Sequence, residues 1–262
     1  MKKVTSIVFL VLAIFTSSIS TSISSAESST SNVSSNVERT NFEWVVNDDL
    51  GGNYEYTYEE EGISYRIVES INLETMKDVS SDIYVKENGE YVLSSKISTK
   101  LLDDNNVLIS ATKDGVITTE TIPVESVDSS PPNINEGVNN TSSNKISLLA
   151  GNADLTDWTF QSITRGSNIA AKLTVAAIVV VLNHYFPYLP VKLVTTLSGT
   201  YYALGTPTIY WQKQWYYRYT LTNPPLPRAE RVFTYFYTDS SYTNYAYDSP
   251  VMQETYAPGW GP

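Results

Sequence analysis

Short runs of alternating apolar and polar residues, separated by turn signals, occupy the chain from Phe42 to Val124. The runs form three pairs, 53–59 with 63–71, 82–86 with 91–98, and 107–112 with 116–122. Asn88-Gly89 and Asp114-Gly115 separate the second and third pairs. Both dipeptides tolerate the positive φ angles of a two-residue hairpin turn. The pattern therefore predicts three successive hairpins in an antiparallel meander.

One face of this sheet is expected to be buried. Residues 54–59 alternate tyrosine with Glu or Thr, which is the period of two that a strand with one buried and one solvated face shows. This half of the chain contains no long amphipathic helix that would cover the apolar side. We expect the C-terminal half, or a partner, to provide the cover.

A long apolar segment follows at 169–186, where Lys172 is the single charged residue. Ser167 or Asn168 is expected to cap a helix here, and Pro187 is expected to end it. Four successive β-branched residues at 178–181 lower the intrinsic helix propensity of the segment. A helix that is apolar on nearly all sides is either buried or in lipid.

A second helix is predicted over 191–204, ended by Gly205 and Pro207. Its apolar positions are spaced by three and four residues, as on one face of a helix. These positions are Val194, Leu197, Tyr201 and Leu204. Because the connection between the two helices is short, we expect an antiparallel helical hairpin.

The last part of the chain is dominated by aromatic residues, which make up 17 of the 62 residues from Tyr201 to Pro262. Strands are predicted at 209–221 and 231–238, joined by the proline-rich segment 223–227 and followed by a tyrosine-rich tail. In the first strand four aromatic side chains fall on one face and form a candidate aromatic platform. They are Trp211, Trp215, Tyr217 and Tyr219.

The N-terminus has the layout of a secretory signal peptide: Lys2 and Lys3, an apolar run at 4–15, and small residues that end at Ala26. The apolar run is shorter than the roughly 20 residues that span a bilayer. We therefore predict cleavage after Ala26 and a secreted, extracellular protein.

These patterns together predict an α+β fold. An N-terminal antiparallel β meander of hairpins precedes a C-terminal helical hairpin packed with an aromatic-rich antiparallel β-sheet. The predicted organisation is a signal peptide at 1–26, a Ser/Thr-rich flexible arm at 27–41, an acidic β module at 42–125, a linker at 126–152, and a helical hairpin plus Tyr/Trp-rich β module at 153–262.

Charge separates the two predicted modules. The formal net charge is −11, and residues 27–130 hold 21 acidic against 7 basic residues, whereas residues 131–262 hold 7 acidic and 8 basic. Phosphate recognition depends on Lys and Arg, so the acidic half argues against nucleic acid as a partner, and none is predicted. The acidic half is expected to keep the protein soluble.

The side-chain inventory argues against an enzyme. The chain has no Cys and one His, His184, so the common zinc, iron and thiolate sites cannot be assembled. Weaker alternatives use carboxylates: Glu59 to Glu61, or Glu43 with Asp48 and Asp49, as a glycosidase acid and base. Oxygen ligands for calcium are available in Asp48, Asp49 and Asn53, and also in Asp103 to Asn106. Solvated hairpin tips and plain turns are the favoured interpretations, so no catalytic residue, cofactor or metal ligand is predicted.

Two functional hypotheses remain. The first is a bacteriocin-like antibacterial protein that acts on target-cell membranes through the helical hairpin, with homo-oligomers on the membrane. Its expected membrane-interacting residues are Leu173, Val175, Ile178, Val179, Leu182, Val194, Leu197 and Tyr201. The alternative is an extracellular module that binds cell-wall glycan or a surface protein through the aromatic platform. In both cases the expected partner is a component of the target-cell envelope.

Overall fold

Two antiparallel β-sheets and two α-helices make up the described part of the chain, which the computed structural model covers over residues 39–48, 51–102, 105–128, 155–206 and 208–260. The structure is mostly β with two helices, which agrees with the broad α+β prediction. The predicted signal peptide with its expected cleavage after Ala26, most of the predicted flexible arm and most of the predicted linker lie outside the described residues. The described residues belong to one compact unit.

The first sheet has seven strands in sequential order, each antiparallel to its neighbours. The strands are β1 (Thr40–Asp48), β2 (Asn53–Glu60), β3 (Ile63–Ile71), β4 (Asp78–Glu87), β5 (Glu90–Leu101), β6 (Asn106–Lys113) and β7 (Val116–Pro123). The three predicted hairpins are confirmed. Positive φ angles at Asn88-Gly89 and Asp114-Gly115 show why these dipeptides stand at the tips.

The predicted alternation of this sheet is also confirmed, since Tyr54, Tyr56 and Tyr58 are all buried. The C-terminal half provides the cover for this face. The first helix, α1 (Val175–Tyr185), lies against β3, β4 and β5. The second helix, α2 (Val191–Ala203), places Tyr202 with its ring centroid 5.3 Å from that of Tyr56.

The second sheet has five strands in the order β12-β11-β10-β9-β8. They are β8 (Glu125–Asp128), β9 (Thr159–Ile169), β10 (Thr208–Tyr219), β11 (Pro227–Tyr237) and β12 (Val251–Tyr256). The strands predicted at 209–221 and 231–238 correspond to β10 and β11. Sequence patterns did not predict the other three strands of this sheet. They are β8, which takes up the first residues of the expected linker, β9, and β12, which lies in the expected tyrosine-rich tail.

The start of α1 corrects one prediction. The helix was expected from residue 169 with Ser167 or Asn168 as its cap, but it begins at Val175 with Thr174 as the N-cap residue. Residue 169 pairs with Thr208 in the second sheet, because the backbone groups of 159–169 bond to β10 instead of closing helical turns. The second helix agrees with its prediction, although Leu204 lies just beyond its last residue and is exposed.

Candidate functional site

The residues expected to contact a membrane are all part of the protein core. Each of the eight, from Leu173 to Tyr201, exposes 4 % or less of its surface. In the described part of the chain, neither helix is long and apolar enough to cross a bilayer. The hairpin therefore contacts lipid only if it leaves the core.

The predicted aromatic platform is divided between the core and the surface. Trp211 is 5 % exposed, and its ring packs edge-on against Phe186 with a centroid distance of 5.7 Å. The Trp211 Nε1–H also donates a hydrogen bond of 3.0 Å to Asn168 Oδ1. Trp215, Tyr217 and Tyr219 lie further along β10 and are half-buried. The three accessible members thus lie together near one end of β10. Trp211, on the same face, is part of the core.

The opposite face of the five-stranded sheet carries a second aromatic surface, which we name the outer aromatic face. Its rings contact one another edge-on: Phe160 and Tyr216 at 5.5 Å, and Tyr216 and Phe233 at 5.6 Å. Met252 of β12 lies beside Phe233 in the register of the sheet. The members of the outer aromatic face are Phe160, Tyr210, Tyr216, Phe233, Tyr235, Tyr237, Tyr242, Tyr245 and Met252.

Several of these apolar groups are open to solvent. Phe160 is 47 % exposed, and Tyr245 and Met252 are each 53 % exposed. Alternation along β10 predicts Tyr210, Tyr216 and Arg218 on this second face, so part of the aromatic surface could be expected from the sequence. The other members were missed because they depend on β9, which carries Phe160, and on the pairing of β12 with β11.

The loop after β11 adds two tyrosines to the outer aromatic face. Asp239 organises this loop, because its carboxylate accepts hydrogen bonds from the backbone N–H groups of Ser241, Thr243 and Asn244. Hydrogen bonds, led by that of Ser241, lower the pKa of Asp239 below its usual value of 3.8. The loop places the Tyr245 ring 4.9 Å from that of Tyr237.

Arginine side chains accompany the aromatic rings. Arg165 is exposed, lies 4.7 Å from the Tyr242 ring centroid and donates through Nε to Gln212 Oε1 at 2.9 Å. Arg218 and Arg231 occupy the same face, given the register of β10 with β11. Arg231 is also paired with Glu254 and lies 4.2 Å from the ring of Trp158. The outer aromatic face therefore combines apolar rings with positive charge.

Three of the carboxylates considered as acid, base or calcium ligands, those of Asp48, Glu59 and Glu60, make structural contacts. Glu60 forms an ion pair with Arg39, and Asp48 Oδ1 accepts a hydrogen bond from the Gly51 N–H at 2.9 Å. Glu61 occupies the positive-φ position of the first hairpin tip, and Asp49 lies outside the described residues. Within the described ranges, no group of three or more His, Asp or Glu residues is arranged to hold a metal ion.

Comparisons of the chain with protein-family models, with curated proteins and with solved structures found no match.

Proposed function

We propose that this chain is a secreted, non-enzymatic antibacterial protein that acts on target-cell membranes and first contacts the bilayer through its outer aromatic face. The exposure of Phe160, Tyr245 and Met252 beside arginine is the observation that carries the proposal. Aromatic rings with a polar tip favour the headgroup region of a bilayer. Arginine is attracted to anionic lipid. Secretion rests on the signal peptide expected at residues 1–26.

The helical hairpin, resting against the aromatic sheet, acts second in this proposal. Helices of 11 and 13 residues are about 16 and 20 Å long, whereas the hydrocarbon core of a bilayer is about 30 Å thick. A released hairpin would therefore lie in the interface or thin the bilayer. The eight buried residues from Leu173 to Tyr201 are the ones that would then contact lipid, and oligomers would be needed to open a path for ions.

Vesicle flotation and dye leakage test the proposal with the purified protein. Vesicles containing anionic lipid should bind the wild-type protein and release dye, and zwitterionic vesicles should do so less. The double variant F160S/M252S removes exposed apolar surface from the outer aromatic face and should reduce binding several-fold. A matched control is V116S/I117S, which changes two apolar residues of β7 that are at least as exposed as Phe160 and Met252.

The control decides which surface docks. If V116S/I117S reduces binding and F160S/M252S does not, the outer aromatic face is not the surface that contacts the membrane. If the wild-type protein neither binds nor permeabilises vesicles, and bacteria exposed to it keep their membrane potential, the proposed function is wrong.

Binding of cell-wall glycan is the second candidate function. It is favoured by the row of half-buried aromatic side chains Trp215, Tyr217 and Tyr219 on β10, since sugars stack on such rings. Retention on purified cell wall should then fall in W215A/Y217A. Trp211 is unsuitable for this test because its removal would damage the core.

A further inference from the structure

Glu69 is a buried carboxylate that caps a helix from a distant part of the chain. It lies on the inner face of β3 and is 2 % exposed. Its Oε2 accepts a hydrogen bond of 2.9 Å from the backbone N–H of Ala176 in the first turn of α1, 107 positions away. Its Oε1 accepts one of 2.6 Å from Ser81 Oγ on β4. Thr174, the N-cap residue, makes no side-chain capping bond to its own helix.

The groups that face Glu69 are neutral donors. Ser81 and Thr174 contribute hydroxyl groups that lie 3.3 Å from each other. Tyr56 on β2 places its hydroxyl 3.4 Å from the Val175 N–H, which donates to it. The titratable groups that couple to Glu69 are Tyr56 and Tyr202, and burial raises the pKa of both phenols. Neither phenol is therefore ionised at neutral pH.

A positive charge stands at the other end of the helix. Lys213 Nζ lies 4.8 Å from the ring of Phe186, the C-cap residue of α1. A carboxylate at the N-terminus and a cation at the C-terminus match the direction of the helix dipole. Glu69 of the first sheet thus bonds to the N-terminal turn of α1, and Lys213 of the second sheet lies near the ring of the residue that follows the helix.

Two effects on Glu69 oppose each other. Burial disfavours the ionised form, whereas the helix dipole and the hydrogen bonds from Ser81, Thr174 and Ala176 favour it. Burial is the larger effect, and it raises the pKa of Glu69 above its ordinary value of 4.5. A protonated carboxyl still accepts the Ala176 N–H and gains a donor for a neighbouring hydroxyl, so protonation keeps the cap and removes the buried charge.

The sign of the pH effect follows from this difference. In a state where α1 has left the sheet, Glu69 is solvated and its pKa returns to about 4.5. The packed state then binds more protons than the open state at any pH between 4.5 and the raised value. The packed state is favoured in acid, and that advantage is lost as the pH rises through the raised pKa.

We propose that Glu69 is a pH-responsive clasp on the N-terminus of α1, which holds the apolar helix firmly when protonated and loosens it when ionised. The clasp concerns the folded protein alone and does not depend on the proposed membrane function. If the proposed membrane function is correct, low pH is the condition that keeps the helical hairpin in the core.

Hydrogen exchange of the α1 amides in the full-length mature protein, followed by mass spectrometry, tests the clasp. The comparison is between wild type and E69Q, which keeps the shape and hydrogen-bonding capacity but has no charge. After correction for intrinsic exchange, the ratio of the wild-type to the E69Q opening constant should rise with pH from 4.5 upward. The limiting slope is about tenfold per pH unit within the window between the two pKa values. E90Q, changed at an exposed hairpin tip, should follow the wild type.

A ratio that stays constant or falls as the pH rises overturns the proposal. If E69Q does not fold, infrared titration of the wild type replaces it. A carboxylic-acid band that persists well above pH 4.5 in the folded protein and disappears in urea supports the clasp. A complete loss of that band near pH 4.5 in the folded protein contradicts it.

Discussion

Gly166 lies directly opposite Trp211 in the ladder between β9 and β10, and a methyl group at residue 166 would overlap the indole ring of Trp211. The indole lies across the glycine and reaches Phe186 at the end of α1. The absence of a side chain at 166 therefore leaves room for the Trp211 ring to lie against Phe186.

We predict that G166A destabilises the protein by about 1–3 kcal/mol, because inserting a methyl group into a well-packed core causes strain. Urea unfolding followed by tryptophan fluorescence measures the loss. In the double variant G166A/W211L the smaller side chain removes the overlap, so the combined loss should be less than the sum of the two single losses. Strict additivity in this double-mutant cycle would show that the two sites do not interact.

Binding to anionic vesicles should depend on Arg165 and on salt. One arginine near an anionic surface contributes about 1 kcal/mol, so R165Q should weaken binding roughly fivefold at low ionic strength. The difference should disappear at high salt, where charges are screened. R66Q is the control, since Arg66 pairs with Glu55 on the seven-stranded sheet. An equal loss in both variants would argue against a defined docking face.

The tyrosine cluster of the first sheet should make the protein sensitive to alkali. Burial is the largest cause that raises the pKa of Tyr65, to about 12, and burial also raises the pKa of Tyr58. Unfolded tyrosine loses its proton near pH 10, so stability is full below pH 10 and falls as the pH approaches 12. Urea unfolding from pH 8 to 12 should show this decline, together with delayed tyrosinate absorbance in the folded protein. Y65F should reduce the decline, and an unchanged slope in Y65F would remove Tyr65 as a cause.

The buried hydroxyl of Tyr201 should contribute measurably to stability. It donates a hydrogen bond of 2.9 Å to the backbone carbonyl of Tyr237 and joins α2 to the second sheet. Y201F leaves that carbonyl without this donor, and we expect a loss of about 1 kcal/mol in chemical denaturation. Y247F, changed at an exposed ring, should have no effect; a loss as large as that of Y201F would mean that the bond is not the cause.

Much of the first sheet could be predicted because its information is local. The dipeptides at 88–89 and 114–115 determine their own backbone angles, and the alternation at 54–59 determines which face is apolar. The second helix was predicted for the same reason, since the spacing of Val194, Leu197 and Tyr201 lies within one segment. The charge difference between the two halves is likewise a property of the sequence alone, and the export signal stays a prediction from the N-terminal pattern.

Tertiary structure determined which strands and side chains meet when they are far apart in the sequence. β9 is irregular in sequence and exists because β8 and β10 bond to it on either side, which shortened the predicted helix and created the outer aromatic face. The position of Trp211 in its strand did not reveal that its indole is buried. The indole lies in the core because it packs against Phe186 and across Gly166. The role of Glu69 could not be predicted because in the sequence it is one polar residue of a strand. Only the fold brings the N–H of Ala176 to its carboxylate. The sequence determined which segments are apolar, because periodicity is local, whereas burial and capping depend on partners that only the folded chain brings together.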